Sequence, residues 1–284
     1  MRNILDGKKL SEQMQASLKE EITKLPYTVR LAVVMVEGDS ASQIYVQNKI
    51  KACKAVGIES NVYTFAATTT IDEVANRLEK LAEDNSVHGI LLQLPLPKHF
   101  DTDKLLKLIP AHKDVDGFSS ENIGKLCLQG VEGNGFIPCT PLGILQLLKQ
   151  NQIEICGKNV VVVGRSNIVG KPIAMLLLTE GATVTICHRN TKNLADFTRQ
   201  ADILIVAVGK RNLIDEDMVK DGVVVVDVGI NRMENGKICG DVNFENVQKK
   251  AKAITPVPGG VGPMTITMLL YNTYQAAKEQ GEKA

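Results

Sequence analysis

Val160-Val161-Val162-Val163-Gly164-Arg165-Ser166-Asn167-Ile168-Val169-Gly170-Lys171-Pro172 decides the fold of the second half of this chain. Four consecutive valines are typical of a buried strand, Gly164 opens a turn, and proline suits the first turn of a helix. Glycine lets backbone N–H groups approach a pyrophosphate, and the positive end of a helix favours an anion. The stretch therefore predicts a dinucleotide site. An ordinary strand-to-helix turn also fits, because Ser166 stands where a second glycine is usual.

Around this stretch, strand-length apolar runs alternate with segments of helical period, which predicts an α/β fold with parallel sheets covered by helices. The predicted strands cover residues 29–36, 58–65, 88–94, 160–163, 183–187, 203–208 and 223–228. The predicted helices cover residues 11–25, 41–56, 71–84, 141–150, 171–179 and 265–278.

A glycine-rich and irregular stretch at residues 114–141 marks a boundary between two domains. We expect residues 1–139 to form an N-terminal α/β substrate and catalytic domain. Residues 140–284 are then expected to form a C-terminal Rossmann-type domain that binds the dinucleotide and contains a parallel sheet. The last helix, at about residues 265–279, is expected to pack back on the N-terminal domain.

Composition excludes several classes of protein. Lys and Arg number 33 against 32 for Asp and Glu, so no global field attracts nucleic acid or an anionic membrane. Tryptophan is absent and aromatic residues make up 4%, which leaves few platforms for stacking bases. The six cysteines are scattered without zinc-ligand spacing, so we expect reduced thiols and no metal site. No apolar run reaches bilayer length, and the N-terminus carries no apolar leader, so we expect a cytoplasmic protein.

The end of the strand at 183–187 bears on which dinucleotide binds. It reads Cys187-His188-Arg189-Asn190, with no carboxylate to hold the ribose hydroxyls of NAD. Arg165 and Arg189 can instead clamp a ribose phosphate, which predicts NADP as the cofactor, although both can also be ordinary surface charges. Gly209 and Ile230 follow two further buried strands and are candidates for the nicotinamide side, where tight turns explain them almost as well.

A second group of candidates lies in the first half. Ser42, Tyr45 and Lys49 share one face of a predicted helix, and Gln93 ends an otherwise apolar strand. A lysine that meets this amide and is partly desolvated by Tyr45 suits general acid–base chemistry. A solvated polar stripe on the helix is the ordinary alternative.

Two loops add to this group. Asp116, in Asp114-Val115-Asp116-Gly117, can accept hydrogen bonds from an aminopyrimidine-like edge, although an aspartate before glycine often only caps a turn. The stretch at 255–265 concentrates prolines and glycines, so we expect a rigid loop shaped for a flat ligand.

Taken together, these segments closely resemble the bifunctional methylenetetrahydrofolate dehydrogenase/methenyltetrahydrofolate cyclohydrolase family over essentially the whole chain. The segments are Ser42-x-x-Tyr45-x-x-x-Lys49, Gln93-Leu94-Pro95-Leu96-Pro97, Asp114-Val115-Asp116-Gly117, Pro138-Cys139-Thr140-Pro141, Gly164 to Pro172 and Pro258 to Thr265.

The resemblance implies an NADP-dependent oxidation of methylenetetrahydrofolate, followed by hydrolysis of the product to 10-formyltetrahydrofolate. It implies that Lys49 is the central catalytic residue, that Tyr45 packs along the folate, that Gln93 tunes Lys49 and that Asp116 holds the pterin. It also implies a homodimer joined through the nucleotide-binding domains.

We assign the candidate residues to three sets. The catalytic set is Lys49, Gln93, Asp116 and Tyr45. The substrate set is Ser42, Tyr45, Gln93, Leu94, Pro95, Asp116, Pro258, Gly259, Gly260 and Val261. The cofactor set is Gly164, Arg165, Ser166, Ile168, Val169, His188, Arg189, Gly209, Ile230 and Thr265.

Two rival interpretations remain. A shikimate-dehydrogenase-like NADP oxidoreductase also uses a lysine, but it leaves the loop at 258–263 and the polar strand end at Gln93 without an explanation. A catalytically silent folate-binding protein would keep the same pockets.

Overall fold

The structure is a computed structural model that describes residues 3–38, 40–234 and 236–281. The chain divides into two compact units. The first unit comprises residues 1–12, 126–133 and 140–265, and the second comprises residues 13–125, 134–139 and 266–284. The first two and last three residues of the predicted domains lie outside the described residues.

Strands and helices alternate along most of the described chain. The strands are β1 (Asn3–Ile4), β2 (Arg30–Val36), β3 (Glu59–Phe65), β4 (Gly89–Leu92), β5 (Asn159–Val163), β6 (Thr183–Cys187), β7 (Ile203–Val206), β8 (Val224–Asp227), β9 (Asn231–Arg232), β10 (Ile238–Cys239) and β11 (Ala253–Ile254). The helices are α1 (Gly7–Thr23), α2 (Ser40–Val56), α3 (Ile71–Glu83), α4 (Thr102–Leu106), α5 (Ser120–Gln129), α6 (Cys139–Gln150), α7 (Gly170–Thr179), α8 (Leu194–Thr198), α9 (Phe244–Val247) and α10 (Val261–Gly281).

The first unit is built on a six-stranded sheet in the order β1-β11-β8-β7-β5-β6, and all its pairings are parallel. The chain leaves β5 towards β6 on one side and then continues with β7 on the other. This reversal of strand order is where α/β sheets bind ligands, outside the carboxyl ends of the strands. Leu204, Val206 and Val225 belong to a continuous core on this sheet.

The second unit is built on a three-stranded parallel sheet in the order β3-β2-β4. Its central strand β2 is buried from Leu31 to Val36. Val74 and Leu78 of α3 pack into the same core, and a capping box of Thr70 and Glu73 fixes the start of that helix. The two parallel sheets confirm the predicted α/β fold.

One stretch predicted as irregular contains a helix, so that prediction was wrong. Residues 120–129 form α5, because the Ser119 hydroxyl accepts a hydrogen bond from Asn122 N at 3.2 Å and thereby caps its first turn. The glycines on either side of the helix, in Asp116-Gly117-Phe118 and Glu132-Gly133-Asn134-Gly135, had indicated an irregular stretch. The short helix α4 was also not predicted.

Two helices begin about one turn earlier than predicted. Helix α1 begins at Gly7 rather than at residue 11, because the Asp6 carboxylate accepts from Lys9 N at 2.9 Å. Helix α10 begins at Val261 rather than at residue 265. Pro263 does not prevent this start, because the first N–H groups of a helix have no partner within the helix.

The predicted strands at 88–94, 203–208 and 223–228 are each shorter in the structure. The chain leaves the regular ladder at their carboxyl ends, although Gln93 N still donates to Val34 O at 2.8 Å. The two-residue strands β1, β9, β10 and β11 were not predicted, because such short segments carry no periodicity. No helix among the described residues is long and apolar enough to span a membrane.

A buried lysine ties the second unit together. Lys113 is 2% exposed, and its Nζ donates to Leu81 O at 3.2 Å, Ala82 O at 2.8 Å and Asp84 O at 2.8 Å. Its three protons therefore satisfy carbonyl groups at the end of α3, where the helix leaves them without partners.

We expect Lys113→Met to lower the free energy of unfolding by about 1–3 kcal/mol, because buried carbonyl groups lose their donors. Lys80→Met on the exposed face of α3 is the matched control and should change it by less than about 0.5 kcal/mol. Denaturant unfolding of the two variants checks this. Equal stability of both would show that the Lys113 contacts contribute nothing.

Candidate active site

Helix α2 turns the polar residues of the predicted substrate site towards the interior of the second unit. Ser42 and Lys49 are buried, Lys49 being only 5% exposed, and they form a stripe with the buried Val46 and Cys53. Ile44 lies on the exposed side of the helix. The stripe is therefore not a solvated surface.

The ammonium group of Lys49 has two close neighbours. Its Nζ donates to Gln93 Oε1 at 3.0 Å and lies 5.3 Å from the centroid of the Tyr45 ring. Gln93 Nε2 donates to Leu94 O, so the amide is oriented with its oxygen towards the lysine. Pro95 follows on the exposed side. The predicted meeting of a helix lysine with a strand-end amide is thus present in the geometry.

The positive charge of Lys49 affects the pKa of Asp116. Burial raises the pKa of Asp116, whereas the positive charge of Lys49 and a hydrogen bond with the Cys139 thiol lower it. Burial, and next the charge of Asp116, raise the pKa of Cys139 well above its ordinary value. Burial likewise raises the pKa of Cys53 to about 12. Both thiols are therefore protonated at neutral pH and are not nucleophiles.

Asp114 shapes the loop that presents Asp116, and the sequence did not single it out. Its buried carboxylate accepts from Gly117 N at 3.1 Å, Phe118 N at 3.2 Å and Ser119 N at 2.7 Å. Three backbone donors on one carboxylate fix the path of the loop. The spacing of two aspartates before a glycine was the available signal.

The loop after β5 needs glycine at both of its ends. Gly164 has φ +135°, and a Cβ there would overlap the Ala207 carbonyl oxygen at the end of β7. A Cβ on Gly170 would overlap the Gly164 carbonyl oxygen. The two glycines therefore let the strand end, the loop and the start of α7 pack closely.

Ser166 lies in the loop just before helix α7. Its Oγ accepts from Val169 N and from Gly170 N, each at 3.2 Å. These converging N–H groups are donors that a phosphate oxygen can also use. Ile168 is exposed in the same loop. The serine in place of a second glycine thus ties the loop to the first residues of the helix.

The two arginines follow adjacent strands. Val163 and Cys187 are paired between β5 and β6, and the exposed Arg165 and Arg189 each follow by two residues. His188, which lies between Cys187 and Arg189, is partly buried, and its Nδ1 accepts from Asn190 N at 3.2 Å. Both guanidinium groups thus extend from neighbouring loops at the carboxyl edge of the sheet.

Gly209 and Ile230 also follow adjacent strands, β7 and β8. Ile230 is 57% exposed, and an added Cβ on Gly209 would meet open space. The backbone of Gly209 is held by a buried side chain, because Gly209 N donates to Asp241 Oδ2 at 3.0 Å. The sequence did not identify this aspartate, because nothing in its local pattern indicates burial.

The proline- and glycine-rich loop belongs to the first unit. Lys8 N donates to Gly259 O at 2.9 Å, and a Cβ on Gly7 would overlap the Gly260 carbonyl oxygen. The start of α1 therefore packs directly on this loop. Thr265 Oγ1 lies 3.0 Å from Thr140 Oγ1.

The candidates thus fall into two sets. The set around Lys49, Gln93 and Asp116 lies within the second unit, and Leu94 and Pro95 belong to it. The first unit carries the whole cofactor set and the remaining substrate residues, which are Pro258, Gly259, Gly260 and Val261.

Comparison with known families covers both halves of the chain. Residues 5–116 match the family model described as tetrahydrofolate dehydrogenase/cyclohydrolase, catalytic domain. Residues 138–281 match the model described as tetrahydrofolate dehydrogenase/cyclohydrolase, NAD(P)-binding domain.

Individual relatives agree with the family models. The chain is 55% identical to the bifunctional protein FolD of Agathobacter rectalis over 281 residues, which cover 98% of this chain and 100% of that protein. The crystal structure of the bifunctional dehydrogenase/cyclohydrolase FolD from Campylobacter jejuni is 53% identical, with a TM-score of 0.95 and coverage of 98% and 99%. The enzyme of Trypanosoma brucei, solved with NADP and an inhibitor, is 36% identical, with a TM-score of 0.94 and coverage of 99% and 98%.

The rival dehydrogenase class is much less similar. A shikimate dehydrogenase from Aquifex aeolicus is 16% identical, with a TM-score of 0.53 and coverage of 91% and 94%, which indicates a shared fold alone. The matches to both family models and the identity to full-length relatives instead establish that this chain belongs to the tetrahydrofolate dehydrogenase/cyclohydrolase family.

Proposed function

We propose that this chain oxidises methylenetetrahydrofolate to methenyltetrahydrofolate with NADP and then hydrolyses that product to 10-formyltetrahydrofolate. The observation that carries this function is the buried Lys49 ammonium, bonded to Gln93 Oε1 at 3.0 Å and close to the Asp116 carboxylate, in a member of this family. A silent folate-binding protein is disfavoured because this polar group is intact.

The oxidation asks the chain mainly to position its reactants. Hydride leaves a methylene carbon that lies between two nitrogen atoms, and their lone pairs stabilise the resulting cation, so no base is required. The nicotinamide ring, when bound, accepts this hydride. The contribution of the protein is to hold the two planar groups in register.

The hydrolysis requires proton transfer. The attacking water must lose a proton, and a ring nitrogen must gain one as the ring opens to the formyl product. Lys49 is the group that we assign to these transfers, with Gln93 Oε1 orienting its ammonium. We assign Tyr45 to packing along the folate and Asp116 to holding the amino edge of the pterin.

The remaining substrate residues are assigned by their positions. We propose that the folate also contacts Ser42 on α2, Leu94 and Pro95 after β4, and the loop at 258–261. The burial of Ser42 on the stripe of Lys49 supports its assignment.

The residues of the first unit fit a dinucleotide. The glycines of the loop after β5 allow close approach of the backbone, and N–H groups converge at the start of α7. Two exposed guanidinium groups on neighbouring loops suit a ribose phosphate. The residues proposed to hold NADP are Gly164, Arg165, Ser166, Ile168, Val169, His188, Arg189, Gly209, Ile230 and Thr265.

We also propose that the functional domains divide near residue 139. The family models cover residues 5–116 and 138–281, and a boundary between the two compact units falls between Cys139 and Thr140. Asn272 of α10 donates to Val115 O at 2.9 Å and to Ile137 O at 3.0 Å, which supports packing of the last helix on the substrate domain.

The proposed assembly is a cytoplasmic homodimer joined through the nucleotide-binding domains, with no nucleic acid or membrane partner. Strand β6 supports the dimer because it is an edge strand among the described residues and carries no charged side chain. The six cysteines are all free, which suits a reducing compartment.

We expect Lys49→Ala to lower the rate of methenyltetrahydrofolate hydrolysis by about 10²- to 10⁴-fold, because proton transfer loses its carrier. Folate binding should remain measurable by fluorescence or calorimetry. Lys51→Ala, an exposed position on the same helix, is the matched control and should hydrolyse at the normal rate. A near-normal rate for Lys49→Ala would disprove its catalytic assignment.

We expect Arg165→Ala and Arg189→Ala each to raise the KM for NADP about tenfold, because each removes a charge-assisted hydrogen bond to phosphate. The KM for NAD is the internal control and should change little, since NAD lacks the ribose phosphate. A coupled absorbance assay with methylenetetrahydrofolate measures both. Unchanged NADP kinetics in both variants would refute the clamp.

A further inference from the structure

Two aspartates are buried next to each other at the carboxyl edge of the six-stranded sheet. Asp227 ends β8 and is 3% exposed, and Asp241 follows β10 and is 0% exposed. A hydrogen bond connects them: the backbone N of Asp241 donates to Asp227 Oδ1 at 2.9 Å. The chemistry proposed above uses neither carboxylate.

The carboxylate of Asp241 holds the segment that follows β7. Its Oδ2 accepts from Val208 N at 2.8 Å and from Gly209 N at 3.0 Å, and its Oδ1 accepts from Asn231 Nδ2 at 2.9 Å. One side chain thus binds the end of β7 and the residue after Ile230.

The carboxylate of Asp227 holds the segment that follows β8. Its Oδ1 accepts from Gly229 N and its Oδ2 from Val242 N, each at 2.9 Å. Its own N donates to the Thr255 hydroxyl at 2.8 Å, at the start of the proline- and glycine-rich loop. The two aspartates therefore connect three loops on one edge of the sheet.

Two glycines make room for these carboxylates. A Cβ on Gly229 would overlap Asp241 Oδ1, and a Cβ on Gly240 would overlap Asp227 Oδ2. Gly229 is therefore required by its contact with the Asp241 carboxylate. Loop and carboxylate are fitted to each other.

This arrangement is unfavourable in free energy, so a functional reason for it is expected. Burying two neighbouring carboxylates is unfavourable, and burial, together with the charge of Asp241, raises the pKa of Asp227 to about 6 against its backbone donors. Little side-chain packing holds the residues that the aspartates support: Val208 and Ile230 are exposed, and an added Cβ on Gly209 would meet open space. Hydrogen bonds to the aspartates hold the N–H groups of Val208, Gly209 and Gly229, the last of which directly precedes Ile230.

We propose that Asp227 and Asp241 are positioning residues for hydride transfer, holding the backbone at Gly209 and Ile230 where it meets the nicotinamide side of the cofactor. This inference rests on the proposed function. Hydride transfer depends steeply on geometry, and a displacement of about 1 Å can cost about a hundredfold in rate. Hydrolysis of methenyltetrahydrofolate needs no nucleotide, so it does not depend on the loops at Gly209 and Ile230, which are the ones that Asp241 holds.

The test is the ratio of dehydrogenase kcat to cyclohydrolase kcat, measured on one preparation of Asp241→Asn and one of Asp241→Ala. This ratio is independent of the fraction of folded protein. We expect it to fall about tenfold to a hundredfold in Asp241→Ala. The ratio should fall less in Asp241→Asn, because the amide oxygen of asparagine can still accept from Val208 N and Gly209 N.

Asp215→Asn is the matched control within the same unit. Asp215 also accepts from a backbone N–H, that of Glu216, and from two asparagine side chains, Asn243 and Asn246, and none of these three partners belongs to the loops at Gly209 and Ile230. Its substitution should leave the ratio unchanged. A general loss of stability would lower both activities together in all three variants.

An unchanged ratio in Asp241→Ala would overturn the proposal. If that variant does not fold, Gly229→Ala carries the test, because its methyl group displaces the Asp241 carboxylate, and an unchanged ratio there would overturn the proposal equally. Failure of the wild-type protein to oxidise methylenetetrahydrofolate with NADP would instead refute the proposed function. Normal wild-type activity with an unaffected ratio refutes only the positioning role.

Discussion

An ammonium group that is almost wholly removed from water must be satisfied by the protein, and Lys49 is satisfied by the side-chain oxygen of Gln93. The partner is a neutral amide, so the contact orients the lysine without cancelling its charge. The pKa of Asp116 is raised by burial, and the positive charge of Lys49 opposes this shift. Helix α2, strand β4 and the loop at 114–117 all serve to keep these three side chains together.

One rule of parallel sheets explains the placement of the candidates that follow a strand. Gln93 follows β4, Gly164 follows β5, Arg189 follows β6 and Ile230 follows β8. Carboxyl ends of parallel strands share one edge, and polar or irregular residues there disturb no ladder. Each unit therefore has a buried hydrophobic core around its sheet, and these candidate residues lie beyond the carboxyl ends of the strands.

The sequence was sufficient to predict a strand or helix where a local pattern of apolar residues determines it. The strand at 183–187 has the predicted bounds, and the strand beginning near residue 160 is the buried run of valines that was expected. Helix starts were wrong where a single capping side chain decides them, as Asp6 does for α1. The sequence did not predict that Lys113, Asp227 and Asp241 are buried. A polar residue becomes buried only when distant segments supply its hydrogen-bond partners.

The glycines and the arginines of the first unit differ in how freely they can vary. Arg165 and Arg189 extend from exposed loops, whereas Gly229 and Gly240 each face a buried carboxylate across a gap too small for a methyl group. A library meant to change cofactor preference can therefore sample the arginine positions widely. The same library should keep both glycines fixed, because any larger residue there would displace a buried carboxylate that holds the neighbouring loops.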